Sequence, residues 1–182
     1  MSAPYDLAVI GGGIMGGGVA LRAAEAGMRT VVLEQSEIGS GASSVNAGTL
    51  SLQIKRVKLM PYALKGYALW QAAGAAVGFH RTGGYTLAFT AAEAELLAER
   101  MALRREAGAP VEMVSPNQVQ AAEPALSRRI VAASYCEADV YANSSLTGSH
   151  YRGLLRDAGI ETREYCAVSA IDHGDGGFRI AT

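Results

Sequence analysis

The sequence is poor in the residues that build metal centres and disulfide frameworks. Its two cysteines, Cys136 and Cys166, stand thirty positions apart, no CxxC pair exists, and the three histidines do not cluster. This excludes a zinc-type ligand set and a disulfide scaffold. Each thiol reads instead as a small buried hydrophobe, the use expected in a reducing compartment. Charge of one sign is also missing: 16 basic residues face 17 acidic ones, for a net charge of −1. Such a balance argues against nucleic acid or an anionic membrane as the main partner.

Long uninterrupted hydrophobic runs are absent too. The nearest approach, "LMPYALKGYALWQAAGAAVGF" from Leu59 to Phe79, is broken by Pro61, Lys65 and Gln71. It reads as a water-soluble helix with Pro61 in its first turn and not as a membrane span. The opening "MSAPYDLAVI" has no basic region ahead of a separate apolar core, so no signal peptide is expected. A cytoplasmic location follows as an expectation. Lys55, Arg56 and Lys58 read as a solvated face, with peripheral membrane contact as the other reading.

Glycine is abundant, and it is concentrated. Seven of the glycines fall in "AVIGGGIMGGGVALRAAEAG", Ala8 to Gly27. Tyr5 to Ile10 predicts a buried strand, Ile14 to Ala26 a helix stopped by Gly27, and Thr30 to Leu33 a second strand ending at Glu34. This is a βαβ unit with Gly11-x-Gly13-x-x-Gly16 at its crossover. Gly11 permits the tight turn, Gly13 leaves room for a pyrophosphate, and Gly16 brings helix and sheet close. Amides and the positive helix end then face the phosphates. Small Ala20 extends that close packing. Glu34 lies twenty-one positions beyond Gly13, near the spacing of a ribose-binding carboxylate. Strand, helix, second strand and terminal acid agree on a dinucleotide site. The alternative is a glycine-rich turn that packs without a ligand. Gly17 and Gly18 lie beyond the motif and carry no expectation besides close packing.

An NAD-dependent dehydrogenase usually proceeds from such a unit to another βα repeat. Here a loop of Gly, Ser, Ala and Asn follows, Gly39 to Gly48, rich in backbone donors and small hydroxyls that suit phosphates. An ordinary surface loop is the other reading.

"DLAVIGGGIMGGGVALRAAEAGMRTVVLEQ" followed by "GSGASSVNAG" resembles the N-terminal portion of the FAD-dependent D-amino-acid oxidase-like family, which includes glycine and sarcosine oxidases. The likeness continues through "HRTGGYTLAFT", "AAEPAL" and "DVYANSSLTGSHYRGLLRDAGIETR", and so spans essentially the whole chain. One departure is Asn143-Ser144, where the family often has Asn-Pro. The resemblance implies an α/β fold: a Rossmann-like FAD-binding domain with an inserted α+β substrate domain, apparently incomplete. The implied bounds are 1–49 with 142–182 for the FAD domain and 50–141 for part of the substrate domain. It implies cofactor contacts at Gly11, Gly13, Ile14, Met15, Gly16, Glu34, Gln35, Ser43, Ser44, Asn46, Ala47 and Gly48, with Val168 beside the adenine. It implies FAD as cofactor, an amino acid or secondary amine as substrate, and hydride transfer from the substrate to flavin. In the family a further strand and flavin loop follow, so the chain resembles the first portion of such an enzyme, with a second polypeptide as a conceivable complement. The competing readings are a non-catalytic nucleotide-binding module and an NAD-dependent domain.

Elsewhere, Gly83 to Phe89 predicts a strand and Thr90 to Glu93 a capping box opening a helix to about Ala107. Leu96, Leu97, Met101 and Arg104 would set its apolar face. Ser115-Pro116 opens a short helix that Glu123-Pro124 ends. Leu146 to Ala158 predicts a helix, Ile160 to Glu164 and Val168 to His173 strands, and Gly174 to Gly177 a turn into Phe178–Thr182. Tyr85, Tyr135, Tyr141 and Arg81 are candidates to line a substrate chamber, though buried tyrosines are mostly packing residues. His80 and His150 read as surface or cap residues. No side chain is singled out as catalytic.

Overall fold

The computed structural model describes residues 4–174 and 176–182. Met1–Ala3, where the leader reading starts, and Asp175, inside the expected Gly174–Gly177 turn, lie outside them. In chain order the elements are β1 (Leu7–Ile10), α1 (Ile14–Glu25), β2 (Thr30–Leu33), β3 (Thr49–Leu50), α2 (Met60–Ala73), β4 (His80–Arg81) and β5 (Gly84–Ala88). Next come α3 (Ala91–Glu106), β6 (Val111–Val114), α4 (Pro116–Ala122), β7 (Ala132–Cys136) and β8 (Val140–Tyr141). The last are α5 (Thr147–Asp157), β9 (Glu161–Arg163), β10 (Ala170–Gly174) and β11 (Gly177–Ala181). These elements form two compact units: residues 1–47 with 143–182, and residues 48–142.

The first unit is built on a parallel sheet of order β1-β2-β9. Neighbouring parallel strands need a crossover, and α1 supplies it between β1 and β2. Val9, Ala20, Val32, Ile38, Leu155 and Ile160 form its core, with Tyr151 of α5 packed against them. Gly17 gains a role here that its position beyond the motif did not disclose. A Cβ on it would lie 2.5 Å from the ring of Tyr151, so the glycine is the space that α5 needs. After α1, Gly27 donates to Ala24 and Met28 to Ala23, closing the helix as its C-terminal glycine suggested.

Several expected strands are shorter than the sequence indicated. β1 begins at Leu7, and it is only half-buried, with Ile10 51% exposed. It stands at the sheet edge, with no neighbouring strand on one side among the described residues. β9 begins at Glu161 because the Ile160 amide bonds back to Leu155 and caps α5. β10 begins at Ala170 and not Val168, and it pairs antiparallel with β11 from Ala170↔Ala181 to Gly174↔Gly177. Cys166 is half-buried, not fully buried as expected.

Thr147, at the start of α5, is 1% exposed, and its hydroxyl has no hydrogen-bond partner among the described residues. A buried orphan hydroxyl costs free energy that a methyl of the same shape does not. Thr147→Val is therefore expected to stabilise the chain by about 1–2 kcal/mol. Urea denaturation of the two proteins checks this; equal midpoints would contradict it.

The second unit holds two antiparallel sheets, β3-β8-β4 and β5-β7-β6. The five-residue strands β5 and β7 pair from Gly84↔Cys136 to Ala88↔Ala132. One core joins Leu52, Met60, Ala88, Leu97, Met101, Val111 and Cys136. A smaller one groups Val119 of α4 with Ile130 and Ala133. The capping boxes of α3 (Thr90, Glu93) and α4 (Ser115, Gln118) are both formed. Leu96 corrects the expected apolar face of α3: it is exposed while Leu97 and Met101 are buried. Leu97 and Met101 stand four positions apart on one face, and Leu96, about 100° round the helix from Leu97, lies at its exposed margin. Pro61 lies in the first turn of α2. Among the described residues no helix is long and apolar enough to cross a membrane.

Candidate functional site

The glycine turn lies between the end of β1 and the start of α1. Gly11 has φ +100°, in the region that favours glycine, and its amide donates to the Leu33 carbonyl at 2.8 Å. Gly16 stands inside contact distance of that turn: a Cβ on it would overlap the Gly11 carbonyl oxygen and press on Val9. Gly13 is the N-cap of α1 and brings no side-chain cap, and the first turn of α1 holds no acidic residue. The helix thus brings no acidic side chain of its own to its positive end. Within the first turn a neutral group takes up one amide: that of Ile14 donates to Ser43 Oγ at 3.0 Å. Met15, next in the helix, is 80% exposed.

Glu34 sits at the end of β2, and its carboxylate is held in place by backbone. The Gly12 amide donates to Oε2 at 2.6 Å and the Ser36 amide to Oε1 at 2.8 Å. A side chain at Gly12 would collide with Ile38, which fills the space behind the turn. Glycine turn, helix end and carboxylate therefore form one rigid group. Gln35 is exposed beside it.

The loop after Ile38 is shaped by its own polar groups. Ser44 Oγ bonds the carbonyls of Ser40 (3.1 Å) and Gly41 (3.2 Å). Asn46 Nδ2 donates to the carbonyls of Ala42 (3.0 Å) and Ser43 (3.2 Å). Ala47 is exposed and ends this unit. Gly48 belongs to the second unit, where its carbonyl accepts from the Ala142 amide at 2.9 Å. On the far side of Glu34, the amides of Tyr165 and Cys166 donate to the carbonyls of Ser36 and Glu34. The chain passes Glu34 there two residues before Val168, which is half-buried and outside any strand.

Sequence reasoning missed the supports of this group. The Ile38 amide donates to Glu164 Oε1 at 2.6 Å, and Arg152 Nη2 reaches the same oxygen at 2.7 Å. Hydrogen bonding from the Arg152 guanidinium holds the Glu164 carboxyl below the usual carboxylate range. Gly39 and Gly148 meet backbone to backbone, where a Cβ on Gly39 would lie 2.5 Å from the Gly148 Cα. Only the isolated glycines 39 and 148 hinted at this contact.

In the second unit, Tyr85 and Tyr141 line a cavity with Thr49, Gln53, Thr82 and Asp139. Tyr135 packs its ring 5.0 Å from that of Tyr85 but faces a different depression. Arg81 is exposed, and exposed His80 stacks on Tyr141. Buried Cys136 has its thiol pushed up to about 12 by burial and by Asp139, so it is a neutral packing group at ordinary pH. No cluster of potential metal ligands occurs among the described residues.

A parallel βαβ unit with a glycine turn, a bare helix end and a pinned carboxylate defines a dinucleotide-binding α/β protein. Residues 6–182 match the model of the FAD dependent oxidoreductase family, and the chain belongs to that family. Its cofactor is FAD, which sets the NAD reading aside. It is 28% identical to glycine oxidase of Bacillus licheniformis over 98% of this chain and 50% of that one. It is likewise 28% identical to one of the subunits of opine oxidase from Rhizobium meliloti, over 95% of this chain and 51% of that one. The crystal structure of glycine oxidase from Geobacillus kaustophilus superposes with a TM-score of 0.84 at 28% identity, over 97% of this chain and 50% of that one. The chain thus spans about half the length of the relatives it matches.

The residues present fit the cofactor. A diphosphate needs a close backbone approach and a helix end whose own first turn carries no acid, and Gly13 with the first turn of α1 provides both.

Proposed function

We propose that this chain is the FAD-binding portion of an oxidoreductase that oxidises the C–N bond of an amino acid or secondary amine. The supporting observation is the rigid group of Gly13, the uncharged start of α1 and the Glu34 carboxylate held by Gly12 and Ser36. Gly11, Gly13 and Gly16 admit the diphosphate, and the amides of Ile14 and Met15 lie at the helix end that faces it. Glu34 uses its remaining lone pairs to accept from ribose hydroxyls, beside Gln35. Ser43, Ser44, Asn46, Ala47 and Gly48 follow the diphosphate toward the flavin, and Val168 borders the adenine. FAD, when bound, supplies the two-electron acceptor for a hydride leaving the carbon next to the substrate nitrogen, which produces an imine that water hydrolyses. The protein's part is binding and orientation, and no side chain of this chain is required as a strong base. Residues 50–141 are assigned to the substrate domain, with the cavity at Tyr85 and Tyr141 as a candidate part of its chamber.

A second reading, that activity requires another polypeptide, is favoured by one feature of the first unit. Among the described residues β1 has a strand on one side only, and an apolar cavity of about 790 Å³ opens between Ile10, Leu33, Ile171 and Phe178. Parallel sheets are normally covered on both faces.

A visible absorption spectrum of the purified protein, taken with the intact mass of every chain present, tests both. Flavin bands releasing FAD are the expected result, and a second stoichiometric mass would support the two-chain reading. Failure to take up added FAD, alone or with a partner, would overturn the proposal. Full amine-oxidising activity from this polypeptide alone would overturn the second reading.

A further inference from the structure

The loop at residues 40–47 has almost no apolar anchor. Val45, its one large hydrophobic residue, is 78% exposed. Hydrogen bonds, not packing, therefore decide its shape. Most of those bonds are local, but one comes from far along the chain. Ser144 Oγ lies 3.0 Å from the Ser44 carbonyl oxygen and 2.8 Å from that of Asn46, across 100 and 98 residues. A hydroxyl carries one proton, so it donates to the two carbonyls in a shared bond.

We propose that Ser144 is a positioning residue for the cofactor loop. It clips the carbonyls of Ser44 and Asn46 inward and so holds the neighbouring Ser43 where its Oγ caps Ile14. With the Ser40, Gly41, Ala42 and Ser43 carbonyls taken by Ser44 and Asn46 side chains, the negative ends of these peptide groups are engaged within the protein. A diphosphate beside the loop then meets fewer free carbonyl oxygens. Ordering a flexible loop costs conformational entropy, and a clip present before the cofactor arrives removes part of that cost from binding. The base of the clip is itself fixed. Asn143 accepts from the Ser145 amide at 3.1 Å, and Gly148 in the same segment abuts Gly39 at the start of the loop. The inference rests on the reading that residues 43–47 bind FAD.

The test compares the full chain with Ser144→Ala, Ser144→Thr and Ser144→Pro. Asn143 is extended (φ −77°, ψ 103°), the conformation favoured before proline, so the proline variant suits the preceding backbone and deletes the hydroxyl donor together with the residue's own amide hydrogen. Two quantities are read: amide hydrogen exchange of residues 40–47 without cofactor, and FAD affinity from quenching of flavin fluorescence. Alanine and proline should speed loop exchange and weaken FAD roughly two- to tenfold, the worth of one hydrogen bond. Threonine should restore both, while exchange within α5 stays as in the parent. Unchanged loop exchange in Ser144→Ala would overturn the clip. Parent-like FAD affinity in both alanine and proline variants would overturn its role in binding. Faster loop exchange with no FAD uptake by any of the four proteins supports the clip and overturns the FAD reading instead.

Discussion

Gly13→Val is expected to fold and to bind FAD up to a hundredfold more weakly, whereas Gly16→Val is expected to lose the fold. The two glycines are three residues apart, and what separates them is the atom each Cβ would meet. At Gly13 that atom is Ser43 Oγ at 3.0 Å, the end of a side chain that can rotate aside. The backbone there is extended, with φ −73°, so valine is not strained. The loss of stability should stay near 1 kcal/mol, the usual scale of an N-cap change. The valine methyls, however, occupy the space assigned to the diphosphate. Overpacking against a group that cannot move costs about 1–3 kcal/mol, so FAD should weaken by up to a hundredfold.

At Gly16 the clashing atom is the carbonyl oxygen of Gly11, part of the backbone turn itself. It cannot yield without separating α1 from β1. A loss of about 4 kcal/mol or more is expected, and Gly16→Ala should be nearly as damaging because the Cβ alone makes the overlap. Denaturation curves and FAD titration distinguish the cases. Unchanged flavin content in Gly13→Val would contradict the placement of the diphosphate. A parent-like midpoint for Gly16→Ala would contradict the close approach of helix and turn.

Asp139→Ala is expected to be the most damaging single change in the second unit. Asp139 is 6% exposed and accepts three donors: Ser51 Oγ at 2.5 Å, the Leu52 amide at 2.7 Å and Gln53 Nε2 at 2.9 Å. Gln53 cannot simply reverse its amide, because its Oε1 accepts from Ser134 Oγ at 2.9 Å. The carboxylate is thus the acceptor end of a buried network joining residues 51–53 to β7. Its removal leaves three donors without a partner inside the protein, and a loss of about 3–5 kcal/mol is expected. Asp139→Asn should cost less than alanine but more than 1 kcal/mol, since one of its two positions now donates where an acceptor is needed. Chemical denaturation followed by far-ultraviolet circular dichroism checks the order. Equal stability of the alanine variant would contradict the network.

Much of the local architecture was legible. The βαβ unit, the stop at Gly27, the capping box at Thr90 and the helix start at Ser115-Pro116 are all signals in which a residue acts on neighbours within a few positions. The short strands were not legible. β3, β4 and β8 have two residues each, too few to show a period, and the Ala-Ala-Ser-Tyr-Cys of β7 lacks the β-branched pattern of a strand. β7 is a strand because β5 and β6 flank it on both sides. Edge position was likewise invisible: the apolar run at Leu7–Ile10 reads as buried whether or not a strand lies beyond it.

The sequence by itself determined the glycine turn, the helix that follows it and the acid at the end of the second strand, because their spacing lies within one supersecondary unit. Only the tertiary structure decided what holds that group in shape. Ser144 meets the loop, Glu164 meets Ile38 and Gly148 meets Gly39 through contacts spanning about a hundred residues or more. A serine, a glutamate or a glycine carries no mark of so distant a partner. The pairing arises from α5 packing on α1 and β9 pairing with β2, and neither event is written in the residues that it brings together.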